Sequence, residues 1–330
     1  MTEELTVLVS GTLATGQGAR LADRLTTPWR QLTWVPDDGR EKWVEAMARA
    51  DAMISGAFPE PPPAAPNLKL FQIPFAGYDW LDRSLLPKDC TVCNTFEHEI
   101  PIAEFVLLSM LEWEIGLSKA ALDFKAGSWR YHGLSGGPFH GELFGKTVGL
   151  IGYGHIGEEV ARRAAAFGMR TVAVARTERV APPPLDWLGG ADRDLDRLLA
   201  ESDYVVVACV LSEETRGLID AARLARMKPD AVLINVARGA VADQADLFRA
   251  LQDRSIGGAV LDVWYNYPTA EDRSPSPADH PFHELDNVVM APHISAWTTQ
   301  MVERRWDFVA ANLDRFARGE PVLNAIDFGD

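Results

Sequence analysis

The sequence predicts an α/β protein with parallel sheets in two domains, and three observations carry that expectation. The chain has 330 residues, beyond the roughly 250–300 at which a single core usually stops growing. Short apolar, strand-like runs alternate with helical patterns along most of its length, which is the rhythm of βαβ units. A glycine-rich turn, Gly152, Gly154 and Gly157, joins one such run to the helical pattern after it.

The elements follow in order. "LTVLVSG", "QLTWVP", "DAMISGA", "LKLFQIP" and "TVCNT" read as short strands, and "GQGARLADRL" and "REKWVEAMARA" as helices. "PEPPPAAP" at 59–66 is a proline-rich surface spacer. Pro101 opens a long helical pattern, "PIAEFVLLSMLEWEIGLSKAALDFKAG", because proline suits the first turn of a helix. A loop rich in glycine and aromatics covers 127–141. The second series then begins at "KTVGLIGYGHIG" and continues through "RTVAVAR", "YVVVACV", "AVLINVA", "IGGAVLDVW" and "NVVMAPH". A last helix, "TTQMVERRWDFVAANLDRFARG", precedes "PVLNAID".

Composition narrows the function. An apolar fraction of 47% excludes wholesale disorder. A formal charge of −15 argues against a nucleic acid or an anionic membrane as partner. Small anionic substrates remain open, since a few arginines can invert the field inside a cleft. "MTEELTVLVS" lacks the basic and apolar regions of a signal peptide. No window approaches about 18 uncharged apolar residues, so no transmembrane helix is expected. Three cysteines are an odd number and suggest no disulfide framework, which fits a reducing cytoplasm. Cys90 and Cys93 form a C-x-x-C without a second pair, and they read as buried thiols rather than as a metal or redox site.

Gly152, Gly154 and Gly157 make G-x-G-x-x-G immediately after "TVGLI" and at the head of a helix. The first glycine permits the tight turn, the second lets backbone approach a pyrophosphate, and the third lets helix and strand pack closely. His155 and Ile156 complete the turn, and the helix N-terminus presents N–H groups to the anion. The usual reader of the adenosine ribose is an acid at the end of the next strand. That place holds Ala175, followed by Arg176 and Thr177. Losing the carboxylate removes a repulsion, and an arginine can pair with a 2′-phosphate. The cofactor expected is therefore NADP, with NAD as the alternative.

Taken together, "KTVGLIGYGHIGEEVARRAAAFGMR", "LSEETRGLID", "MKPDAVLINVARGAVADQADLFRAL", "GGAVLDVW" and "DNVVMAPHISAWT" resemble the NAD(P)-dependent D-2-hydroxyacid dehydrogenases in order and spacing. The resemblance runs from roughly residue 70 to 325. It implies two Rossmann-like domains, a nucleotide domain at 100–293 inserted into a flavodoxin-like substrate domain made of 1–99 and 294–330. It also implies a homodimer joined through the nucleotide domain.

The chemistry implied is reduction of a small 2-oxo acid to the D-2-hydroxy acid, of the glyoxylate or hydroxypyruvate type. Arg238 in "NVARGA" matches the arginine that holds the substrate carboxylate, and His293 in "APHIS" matches the histidine that moves the proton. "FAGYD" resembles the carboxylate-binding loop, which points to Ala76, Gly77 and Tyr78. Asp262 matches a residue bonding the nicotinamide carboxamide. Val210, Leu211, Val236 and Ser295 are expected to line the cofactor groove, and the aromatic loop with Trp297 to face the substrate.

One departure stands out. The family pairs its histidine with a glutamate just before the proline of "LDVWYNYP", and this chain has Tyr267 there. A neutral phenol orients an imidazole but does not favour its charged form. Glu271, Asp272, Asp279 and Glu99 are the acids available to take over. The substitution keeps two other readings open. One is a formate-type dehydrogenase, whose reaction needs no proton donor to a ketone. The other is a cofactor-binding regulator resembling the family's corepressor branch.

Overall fold

The computed structural model describes residues 4–177, 179–269 and 272–328. The chain divides into two compact units, Met1–Glu97 with Thr298–Asp330, and His98–Trp297. Each break falls just before a helix N-cap, His98 for the helix Glu99–Ile115 and Thr298 for the helix Thr299–Ala317. Residues 98–99 and 294–297 therefore go with the second unit, a shift of a few residues from the expected boundaries.

Unit 1 is built on β1 (Leu5–Ser10), β2 (Trp29–Trp34), β3 (Ala52–Ser55), β4 (Leu70–Gln72) and β5 (Thr91–Cys93). All pair in parallel, in the order β2-β1-β3-β4-β5, which is the flavodoxin-like order. The period of two along β1 sends its residues to two cores. Val7 and Val9 pack with Trp306, Val309 and Leu313 of the helix Thr299–Ala317. Leu8 packs on the other face with Trp34, Trp43 and Phe71. Both faces are covered at β1 and β3, so these strands are mostly apolar, whereas the edge strand β2 includes exposed polar residues. Of the helix expected over 16–25 only the four-residue turn Ala19–Ala22 is present, and a second such turn, Thr12–Thr15, precedes it. Gly16 and Gly18 between them carry too high a conformational cost for one continuous helix.

Unit 2 holds β6 (Thr147–Ile151), β7 (Arg170–Ala175), β8 (Trp187–Gly190), β9 (Tyr204–Val207), β10 (Val232–Asn235), β11 (Gly258–Leu261) and β12 (Val288–Met290). Its parallel sheet runs β12-β11-β10-β9-β6-β7-β8. The long helical pattern from Pro101 is two helices, Glu99–Ile115 and Leu117–Lys125. Gly116, at φ 63, ends the first in the left-handed conformation that glycine adopts without penalty. Glu114 fastens that first helix to the sheet, accepting a hydrogen bond from the Tyr204 hydroxyl and pairing with Lys146 Nζ at 2.8 Å. The edge strand β8 has no expected counterpart, because "WLGG" lacks a strand-like pattern and is held by its register on β7. Among the described residues no helix is long and apolar enough to cross a membrane.

Candidate active site

In unit 2 the chain order reverses about β6. β7 and β8 extend the sheet one way from it, and β9 to β12 the other. Open α/β sheets bind ligands beyond the carboxyl ends of their strands at such a reversal. Five segments emerge there: 152–157 after β6, 176–177 after β7, 208–212 after β9, 236–238 after β10 and 262–267 after β11. The end of β12 adds 291–297.

The three glycines do different work. A Cβ on Gly152 (φ +102) would lie 2.7 Å from the Cys209 nitrogen, and one on Gly157 only 2.4 Å from the Gly152 carbonyl oxygen. A Cβ on Gly154 would meet nothing within 4 Å. Gly154 is also the N-cap of the helix His155–Ala166, and among the described residues no side chain caps that end. Two glycines are thus required by backbone packing, while the third faces open space at the head of the helix. This cradle fits a dinucleotide pyrophosphate.

Arg176 and Thr177 are exposed just past β7. Arg179, which sequence reading passed over, reaches back to this turn. Its Nη2 donates to the Tyr153 carbonyl at 3.1 Å, and its guanidinium lies 5.5 Å from the Tyr153 ring centroid. The strand pattern ends at Ala175, so only the spacing of the two arginines could have signalled it. After β9, Val210 is exposed and Leu211 half-buried, while the Thr215 hydroxyl donates to the Val210 carbonyl at 2.7 Å. Val236 and Ser295 are buried.

His293 has φ 58, an uncommon backbone state for a residue with a side chain and one that collects at functional sites. Asp262 maintains it. Its carboxylate accepts the Ile294 and Ser295 amides at 2.8 and 3.0 Å. Asp262, the residue expected to bond the nicotinamide carboxamide, is fully buried, and each of its two oxygens accepts one amide of the histidine loop. Tyr267 Oη lies 3.0 Å from His293 Nδ1 and accepts the Trp264 amide at 3.1 Å. Partial burial lowers the His293 pKa; the Asp262 carboxylate opposes this and the Arg238 guanidinium adds to it. Arg238 is half-buried directly after β10, with its backbone carbonyl held by Asn235 Nδ2 at 3.0 Å.

The acids suggested as substitutes have other partners among the described residues. Asp279 accepts from Asn266 and Gln244, Asp272 from the Ser274 amide, and Glu99 sits beside His98. Glu271 lies outside the described residues.

A family model for the NAD-binding domain of D-isomer-specific 2-hydroxyacid dehydrogenases matches residues 107–295. A glyoxylate reductase from Pyrococcus furiosus is 34% identical over 301 residues, covering 88% of this chain and 86% of that protein. The chain belongs to the D-isomer-specific 2-hydroxyacid dehydrogenases. It is an oxidoreductase acting on the CH–OH of 2-hydroxy acids, and unit 2 is its nucleotide domain. Among solved structures, a family member from Aeromonas salmonicida has a TM-score of 0.81 at 26% identity, covering 99% of this chain and all of that one. An NADPH-dependent glyoxylate/hydroxypyruvate reductase from Sinorhizobium meliloti has a TM-score of 0.76 at 26% identity, covering 98% and 97%.

The remaining expected residues of the dehydrogenase divide between the units. Trp297 is exposed in unit 2. Ala76, Gly77 and Tyr78 form a turn in unit 1 whose carbonyls are engaged by Asn94 Nδ2, Trp80 Nε1 and the Leu81 amide. The amides of these three residues meet no acceptor among the described residues. Successive free N–H groups of this kind make an anion-binding concavity.

Proposed function

We propose that this dehydrogenase reduces a small 2-oxo acid to the D-2-hydroxy acid, with NADPH preferred to NADH. The observation that carries the reading is the pair Arg238 and His293 at the ends of β10 and β12, with His293 held in a left-handed backbone by Asp262. In this reading Arg238 pairs with the substrate carboxylate and polarises the adjacent ketone, and His293 delivers a proton to the carbonyl oxygen. When bound, the nicotinamide cofactor supplies the hydride to C2. Gly152, Gly154, His155, Ile156 and Gly157 cradle the pyrophosphate, and Arg176 with Thr177 and Arg179 takes the 2′-phosphate. Val210, Leu211, Val236 and Ser295 flank the cofactor. The Ala76–Tyr78 turn offers its amides to a carboxylate, while Tyr267 and Trp297 flank the substrate. The names of the Pyrococcus and Sinorhizobium relatives support a two- or three-carbon substrate.

A homodimer formed through unit 2 and a cytoplasmic location complete the proposal. The exposed apolar side chains of residues 108–144 support the first, and three free cysteines the second. The test is NADPH and NADH oxidation against glyoxylate, hydroxypyruvate, pyruvate and phenylpyruvate, with KM compared for the two cofactors. Turnover of at least one oxo acid with the lower KM for NADPH is expected. No turnover with cofactor binding intact overturns the reading. The phenol at His293 keeps a formate-type reaction as the second reading, and reduction of NADP by formate would establish it.

A further inference from the structure

Tyr267 can offer His293 a hydrogen bond that a carboxylate in its place could not. A phenol oxygen carries one proton and two lone pairs, whereas an ionised carboxylate only accepts. The Trp264 amide fills one lone pair of Tyr267 Oη at 3.1 Å, and His293 Nδ1 lies 3.0 Å away. Trp264 is itself pinned, its buried indole Nε1 donating to the Ala291 carbonyl at 2.8 Å, two residues before His293. The His293 backbone is set at φ 58 by Asp262. Backbone and ring are therefore held from separate directions, and among the described residues the one side chain bonded to Nδ1 is a neutral phenol.

We propose that Tyr267 is the positioning residue for His293, donating its hydroxyl proton to Nδ1 so that the neutral imidazole keeps its own proton on Nε2. The inference rests on reading His293 as the group that moves the substrate's proton. It separates this chain from a histidine paired with a carboxylate. An acceptor-only partner requires Nδ1–H, which leaves a basic lone pair on Nε2. The phenol leaves an Nε2–H donor, suited to bonding a carbonyl oxygen and unsuited to taking a proton from an alcohol. When the ring is protonated, the hydroxyl rotates and its second lone pair accepts Nδ1–H.

The charged groups acting on the ring are Asp262 and Arg238, which oppose each other. Burial raises the Tyr267 pKa, so the phenol stays neutral throughout the range in which the imidazole titrates. The imidazolium is present below the lowered His293 pKa and is lost as pH rises through it.

The decisive measurement is the 15N NMR pattern of His293 in the full-length protein, followed through its titration without substrate, for the native chain, Tyr267→Phe and Tyr267→Glu. The native neutral ring is expected as the Nε2–H tautomer. Tyr267→Glu is expected to give the Nδ1–H tautomer and a higher pKa, and to move the fall in oxo-acid reduction to higher pH. Tyr267→Phe is expected to lose the tautomer preference and to lower kcat for reduction about tenfold with little change in KM. A native Nδ1–H tautomer overturns the proposal, as does a Tyr267→Phe protein with unchanged tautomer and pH profile. The native spectrum decides the matter even if both variants misfold. The spectrum needs no turnover, so a correct tautomer in a protein that reduces no oxo acid would unseat the functional reading and leave this one standing.

Discussion

At the scale of single residues, the glycines of the nucleotide turn separate binding from folding. Gly154 has φ −104, a backbone open to any residue, and space where its Cβ would be. Gly154→Ala is expected to leave the melting temperature unchanged and to weaken NADPH binding about tenfold or more, because the new methyl occupies the approach of the pyrophosphate. Gly157→Ala sets a Cβ against the Gly152 carbonyl oxygen, and it is expected to cost about 1–3 kcal/mol of stability. Thermal unfolding and cofactor titration on both variants check this; equal effects on stability would contradict it. The glycine spacing was legible in the sequence because each position answers a local backbone demand. The Asp262 contacts were not. An acid at a strand end shows that something needs a carboxylate, but only the folded chain reveals that the amides of Ile294 and Ser295 claim both oxygens. Arg179 was hidden for the same reason, since its partner is a backbone carbonyl 26 positions away.

At the scale of elements, the strands were the legible part. Fully buried parallel strands announce themselves as apolar runs, and β8 escaped because an edge strand of tryptophan, leucine and two glycines carries no such signal. The helices were legible in position but not in continuity, as Gly116 and the pair Gly16 and Gly18 show. The last helix, Thr299–Ala317, was clear in the sequence, yet what fastens it to unit 1 was not. Asp314, nearly buried, accepts the amides and hydroxyls of both Thr26 and Thr27. Burial raises the Asp314 pKa, but these hydrogen bonds outweigh it and hold the carboxyl below its usual range. A depressed carboxyl stabilises the fold fully above its unfolded pKa, and that contribution is lost as pH falls through the folded value. Asp314→Ala is expected to cost about 2–4 kcal/mol at neutral pH, by leaving the Thr26 and Thr27 donors without their acceptor. The loss should shrink in acid. Denaturant melts of both proteins at neutral and acidic pH measure it, and a pH-independent difference would refute the linkage.

At the scale of the whole molecule, the apolar surface of unit 2 argues for assembly. The helix Leu117–Lys125 buries none of its side chains, and Leu117, Leu122 and Phe124 are exposed on it. Trp129, Phe144 and Leu108 add to that surface, while Leu134 and Phe139 are 97% and 104% exposed. Single exposed apolar residues are ordinary, but this concentration in one segment is more than a monomer usually shows. A second copy of the chain is the proposed occupant, in the self-complementary arrangement of a twofold dimer. Each copy brings a formal charge of −15, so apolar burial has to overcome a mutual repulsion that salt screens. Light scattering after size exclusion is expected to give about twice 36.3 kDa, with dissociation favoured at low ionic strength. Leu122→Asp with Phe139→Asp should yield a folded monomer at micromolar concentration, by placing unpaired carboxylates where an apolar contact forms. A native protein that runs as a monomer at every salt concentration would remove the dimer from the proposal and leave this surface to be explained by some other contact.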